Sequence, residues 1–407
     1  MKNINLKTVA IIAAVLILHL ENNAQITQFG GPNRNGVYNE TGLLDQWPES
    51  GPELVHTITG IGQGYAAPAV NEDGVYVAGM IDSTGCVFHF DPQYNLVWKT
   101  EIGPEFDYKY IGSRATPTLE GNRLYYAASM GDVVCLDTRT GEKIWHVNLM
   151  EEYDGPKVKW GYTESPLIYG EKIFFTPGGP GANFIALNKM NGELIWKASI
   201  DSAVNSYCSP VLINHNNKDL VLLNATNNIL LIDPDNGEVR VKHPLTERHF
   251  NHALPPIYDN GRLFYSSGYG EGTTLFRIVE DAQLLDTIYR NTDLDAKISG
   301  LIRYEGTVFG VSDKRKMWAG VDYETGETVF STRDLQRGSF ILADDKFYMY
   351  SDRGEVALAH PSKEGFDIVS RFHIPAGQAT LAFAHPVIHE GILYIRYNDA
   401  MWLYKVK

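Results

Sequence analysis

One short pattern, met five times, leaves this chain few architectures. "GDVVCLDTRTGEKIWHVNL" (Gly131–Leu149) is followed by "ANFIALNKMNGELIWKASI" (Ala182–Ile200) and "NNILLIDPDNGEVRVKHPL" (Asn227–Leu245). "GCVFHFDPQYNLVWKTEI" (Gly85–Ile102) precedes them and "MWAGVDYETGETVFSTRD" (Met317–Asp334) comes after. Asp137, Asn188, Asp233 and Asp322 each stand four residues before a glycine, Gly141, Gly192, Gly237 and Gly326. Four residues beyond those glycines come Trp145, Trp196, Val241 and Phe330, and Trp98 holds the same place in the first copy. The alternating run before the Asp is a strand. The Asp or Asn side chain closes a turn whose positive φ the glycine supplies. The returning strand carries a large apolar residue that needs a dry neighbour, and in a repeat chain that neighbour is the next copy.

A second element precedes each copy. "AAPAVNEDGVYVAG", "ATPTLEGNRLYYAA", "ESPLIYGEKIFFTP", "CSPVLINHNNKDLVLL", "LPPIYDNGRLFYSS" and "AHPVIHEGILYIRY" share a Pro, a short apolar pair, a polar turn and an aromatic strand, and "SGLIRYEGTVFGVS" and "GSFILADDKFYMYS" are weaker versions. Their anchors (Pro68, Pro117, Pro166, Pro210, Pro255, Leu301, Phe340, Pro386) lie 39 to 49 residues apart, the period of propeller blades. Helical periodicity is almost absent after Leu20, and no linker divides the chain. The expectation is an all-β, eight-bladed propeller of four-stranded antiparallel blades over residues 52–407. The last unit has room for only three strands. Residues 52–58 ("PELVHTI") match the strand around Trp98, with His56 at the Trp position, and are expected to close the ring as an N-terminal strand.

Ahead of this lies a basic start (Lys2, Lys7) and an apolar run, Val9–Leu20, too short to span a bilayer comfortably. Residues 1–24 read as a secretory signal peptide cleaved near Ala24, and 25–51 as a leader segment. The expected location is exported, periplasmic or extracellular, with no transmembrane segment in the mature chain. The formal charge of −14 repels phosphate backbones, so nucleic acid is not expected as a partner. Cys86, Cys135 and Cys208 form no CxxC, which excludes a disulfide framework and a zinc site while leaving one bridge open.

The Asp-x-x-x-Gly-x-x-x-Trp hairpins resemble the repeats of the pyrroloquinoline-quinone (PQQ) propeller superfamily, and "QFGGPNRNGVYNETGLLDQWPESGP" (Gln28–Pro52) looks like the leader of its exported members. The resemblance covers essentially the whole mature chain. It implies one of two branches. Quinoprotein alcohol dehydrogenases hold PQQ on the propeller axis with a calcium ion, a catalytic Asp and often adjacent cysteines. Here no cysteines are adjacent, no C-x-x-C-H occurs, and no calcium ligand or catalytic residue can be matched by motif. The non-enzymatic, BamB-like branch is a protein scaffold. It fits the length, and the loss of Trp from all but three hairpins suits it. No Cys follows the apolar run, a departure from that branch's lipid attachment. The expectation is a scaffold or binding propeller, monomeric, with a protein or glycan partner and no cofactor or metal. PQQ with calcium belongs to the alternative, and carbohydrate binding is a second alternative.

Other chemistry is thin. His249 and His252 are three apart without a third ligand, and "GGPGAN" (178–183) has no helix behind it to make a phosphate loop. "SDKRKMW" (312–318) is a basic run of the kind found at solvated loop tips. Glu151 and Glu152 have nothing to tune them, and GxSxG is absent. The first strand of each blade lies nearest the axis, so the loop leading into it opens on the channel. The residues ahead of the anchors are Tyr65, Arg114, Tyr162, Tyr207, His252, Lys297, Arg337 and Phe383. This aromatic and cationic set is the expected ligand site at the channel mouth, since flat rings and forked donors suit sugars, carboxylates or a planar cofactor.

Overall fold

In a computed structural model the described residues are 26–201, 207–245, 253–279, 283–376 and 381–407. The expected signal peptide, His249 and His252 lie outside them. Eight sheets follow one another in chain order, each a four-stranded antiparallel blade as expected, the seventh carrying one further short parallel strand. In the second, Thr118–Glu120, Arg123–Ala127, Asp132–Asp137 and Lys143–Asn148 run from the inner to the outer edge. The eighth consists of Val387–His389, Ile392–Tyr397 and Ala400–Lys405, with Glu53–Thr59 paired antiparallel on its outer edge. The ring thus closes on an N-terminal strand and leaves Ala400–Lys405 with no open edge. Among the described residues helix is confined to one turn, Leu149–Glu152.

The apolar interior is divided. Eight hydrophobic clusters occur among the described residues, and each joins two neighbouring blades. That between the second and third packs Tyr125, Cys135 and Trp145 against Ile168, Ile173 and Ile185. A blade therefore has no core of its own and needs both neighbours.

The repeated hairpin is the device that joins them. Gly141 N–H donates to Asp137 O at 2.8 Å, and the same bond recurs at Gly192, Gly237 and Gly326. These glycines have φ between +73° and +78°. Each is also a contact surface for the preceding blade. A Cβ on Gly141 would lie 2.7 Å from the Trp98 ring, one on Gly192 3.0 Å from Trp145, and one on Gly237 2.6 Å from Trp196. The indole Nε1–H of Trp98 donates to Thr138 O (2.8 Å), that of Trp145 to Lys189 O (3.0 Å) and that of Trp196 to Pro234 O (3.1 Å). Where Trp is lost the dock is kept by other means. Tyr289 donates to Tyr323 O at 2.9 Å, and His56 stacks on Tyr94 with ring centroids 5.1 Å apart. Every outer strand makes room for this residue with a β-bulge one position earlier, from Val55 and Val97 to Val329 and Val369.

The leader does more than precede the ring. Ser370 holds the Trp position of the seventh blade, and Trp47 of the leader fills that interface instead, its backbone N–H donating to Ser370 Oγ and its ring 5.4 Å from Phe372. Further upstream the leader spans one end of the axial channel. Thr27 bridges to Leu119 in the second blade, and Val37–Tyr38 pair in parallel with Leu342–Ala343 in the seventh. Between them Arg34 is buried, donating to Ser165 O (2.6 Å) and Pro166 O (2.8 Å). At the closing interface the buried guanidinium of Arg396 donates to Ala66 O, Ala78 O and Gly62 O.

Truncating Trp145 to Ala removes a ring that is 8% exposed, together with its bond to the next blade. The expected loss of stability is about 3–5 kcal/mol in urea unfolding. A loss under about 1 kcal/mol would mean that the dock carries little of the fold.

Candidate functional site

Opposite the leader, the loops between blades surround a funnel of about 1930 Å³ of atom-free space, open to solvent. Phe29 of the leader lines it from below and also lines the cavity on the far side, about 1030 Å³, so the leader divides the channel in two. Phe29 packs edge-on to His385, centroids 5.2 Å apart.

Of the residues expected at the mouth, Tyr65, Arg114, Tyr207, Lys297, Arg337 and Phe383 line this one funnel. His252 lies outside the described residues. Tyr162 does not line it: it is 1% exposed, and its hydroxyl donates to Pro177 O (2.9 Å) and Pro156 O (3.2 Å). The reason is register. Most of the set stand three positions before their anchor, and in the third blade that position is Thr163, which does line the funnel. Sequence reasoning also passed over Tyr110, Trp160 and Tyr269, which sit deeper in the loops and have no fixed offset from an anchor.

Two kinds of wall face each other. Tyr65 and Phe383 lie 5.4 Å apart, Tyr110 and Phe383 5.8 Å, and Tyr110 and Trp160 6.1 Å, which makes a continuous aromatic arc over the loops that lead into the eighth, first, second and third blades. Across from it, Arg337 Nε donates to Asp352 at 2.7 Å and Lys316 pairs with Asp313 at 3.1 Å. Lys297 Nζ sits 4.1 Å above the Tyr269 ring and donates to its hydroxyl. Arg114 stacks on Phe106 at 4.6 Å and donates to Gly112 O and Tyr110 O. Its burial lowers the guanidinium pKa, with the nearby Glu105 charge opposing. Tyr110, Tyr207 and Tyr269 have φ of 54°, 72° and 63°. Bulky residues held there cost roughly 1–3 kcal/mol each, and such strain gathers at functional sites.

The family resemblance raises PQQ with calcium, and the funnel's donors do not suit that ion. Asp313 is the single carboxylate among the described lining, and Lys316 and Arg337 already hold it. Lys109, Arg114 and Lys297 add further positive charge. Among the described residues no three His, Cys, Asp or Glu side chains group as metal ligands, and Cys86, Cys135 and Cys208 are free, buried thiols.

Just behind the wall, Glu164 is fully buried and accepts from Thr176 N–H (2.8 Å) and Thr176 Oγ–H (2.6 Å). Burial pushes its carboxyl up to about 7, against the Thr176 bonds and the Arg34 charge. Below pH 4.5 the group is protonated folded or unfolded. Between about 4.5 and 7 only the folded state keeps the proton, so stability falls as pH rises. The full penalty, up to about 3 kcal/mol, is present by pH 8. Glu164→Gln is expected to flatten this fall when urea unfolding is compared at pH 5 and pH 8. Parallel pH profiles for variant and wild type would contradict it.

A family profile described as outer membrane protein assembly factor BamB matches residues 83–332. Quinoprotein alcohol dehydrogenase PedH of Pseudomonas putida is 26% identical over 172 residues, 41% of this chain and 27% of that protein. A quinoprotein ethanol dehydrogenase of Pseudomonas aeruginosa is 26% identical over 164 residues, 37% of this chain and 26% of that one. The chain thus spans about a quarter of the length of these relatives. BamB from Moraxella catarrhalis superposes with a TM-score of 0.62 at 16% identity, covering 87% of this chain and 99% of that one. Europium-containing methanol dehydrogenase does so with 0.64 at 11% identity, covering 94% and 91%. At such identities the structures share the fold alone. The matched profile takes in more than half of the chain and the hairpins that dock its blades; the chain therefore belongs to the PQQ-like repeat family described as outer membrane protein assembly factor BamB.

Proposed function

We propose that this chain is a binding or scaffold propeller, exported and without turnover of its own, and that the channel mouth is where it holds a ligand. The observation that carries the reading is the make-up of the mouth. Rings and cations crowd into one blind funnel on a chain of net charge −14, and three of its tyrosines are held in the left-handed region. Such a wall gives stacking surface and charged donors on a rigid frame, which is what recognition needs. The role for which the family is described, outer membrane protein assembly, supports a chain that holds other molecules in place. We read residues 1–24 as its signal peptide, the periplasm or cell exterior as its compartment, a protein or glycan as its partner and the monomer as its working form.

The second reading is a quinoprotein dehydrogenase, favoured by the two Pseudomonas relatives. Against it stands the funnel's cationic lining, which repels a calcium ion. The two separate in a dye-linked oxidation assay with ethanol, PQQ and either calcium or a lanthanide. No turnover above the protein-free blank is expected. Saturable alcohol oxidation would overturn the scaffold reading.

A further inference from the structure

We propose that the funnel binds an acidic oligosaccharide, with uronate carboxylates held between Arg114 and Lys297 and sugar faces laid on the aromatic arc. This rests on the reading of the funnel as a ligand site and names what occupies it. Arg114 stands on the loop leading into the second blade and Lys297 on the loop leading into the sixth. In a ring of eight those positions are diametrically opposed. The other cations of the sixth- and seventh-blade wall are spent, Lys316 on Asp313 and Arg337 on Asp313 and Asp352. Arg114 and Lys297 have no carboxylate partner among the described residues. Arg114 bonds backbone carbonyls, and Lys297 bonds the Tyr269 hydroxyl. Two cations on facing walls that make no ion pair among the described residues, with Lys109 also in the lining and Glu105 offsetting Arg114 in part, favour a ligand with acid groups at separated points.

The rings decide what lies between those acids. Tyr65, Tyr110, Trp160 and Phe383 meet at interplanar angles of 48° to 63°. They form a tilted platform and not a parallel slot, so no two of these rings face each other across a gap that would hold a flat arene between them. A sugar needs one platform for its C–H face and hydroxyl partners around its rim. Tyr65 and Tyr110 line that wall, and a phenol hydroxyl is both a donor and an acceptor. Acid groups spaced by such rings describe a uronate oligomer.

The test is calorimetric titration of the purified protein with trigalacturonate, with its methyl ester as the uncharged copy and PQQ as the flat polyacid. Trigalacturonate is expected to bind, at least tenfold more tightly than the ester, and to weaken as NaCl rises from about 50 to 500 mM, where charges are screened. Lys297→Gln and Arg114→Gln are each expected to weaken it fivefold or more. Lys405→Gln, exposed on the last strand, is expected to leave it unchanged, and all three are checked for wild-type melting. Should Arg114→Gln unfold, Lys297→Gln alone decides. Equal binding of the ester, or indifference to Lys297→Gln, would overturn the proposal. PQQ binding lost in Lys297→Gln, without trigalacturonate binding, would also overturn it while leaving the funnel as a ligand site. Failure of every probe to bind would count against both.

Discussion

The rest of the structure depends on an aromatic ring of one blade resting on the turn glycine of the next. At Gly141, Gly192 and Gly237 a side chain would collide with Trp98, Trp145 and Trp196, and each indole N–H is bonded within the same turn. The glycine therefore serves the turn's backbone and the neighbour's packing together, which ties local conformation to long-range order. Because each hydrophobic cluster spans two blades, no blade gains its burial until its neighbour is present. Decay of the Trp is tolerated where another group covers the turn: Tyr289 by its hydroxyl, His56 by stacking, and Trp47 by reaching in from the leader.

That closure lets the mouth be made of costly parts. Tyrosines in left-handed conformations and an arginine bonded only to carbonyls are unfavourable taken alone, and a rigid ring holds them in place. The leader contributes from the other side. Arg34 is locked into the carbonyls of Ser165 and Pro166, and this fixes Phe29 as the floor of the funnel. Ring, leader and mouth are thus one mechanical unit.

Much of this was legible in the sequence, since the signals are local and repeated. The Asp-to-Gly spacing marks the hairpin in four copies and the large residue beyond it marks the dock, so blade number could be read from periodicity and the closing strand from the match of His56 to Trp98. The mouth was legible only in part. Counting four back from Pro166, where most of the set stand three before their anchor, reached buried Tyr162 and missed Thr163 beside it. Tyr110, Trp160 and Tyr269 are brought in by loop conformation, not by offset. The roles of Arg34 and Trp47 were not legible at all. Their partners lie more than a hundred residues away, at Ser165 and Ser370, and no local pattern announces them.

The central claim is that inter-blade docking, not strength within single blades, holds the ring that shapes the funnel. Native-state hydrogen exchange of the indole Nε1–H groups of Trp98 and Trp145 tests it most directly, since both are bonded to the following blade. The account predicts that both exchange only through global unfolding, with a free energy equal to that from urea and falling with denaturant at the same slope. Exchange through a shallow, denaturant-independent opening, while the strand amides stay protected, would show blades that stand without their docks and would contradict it.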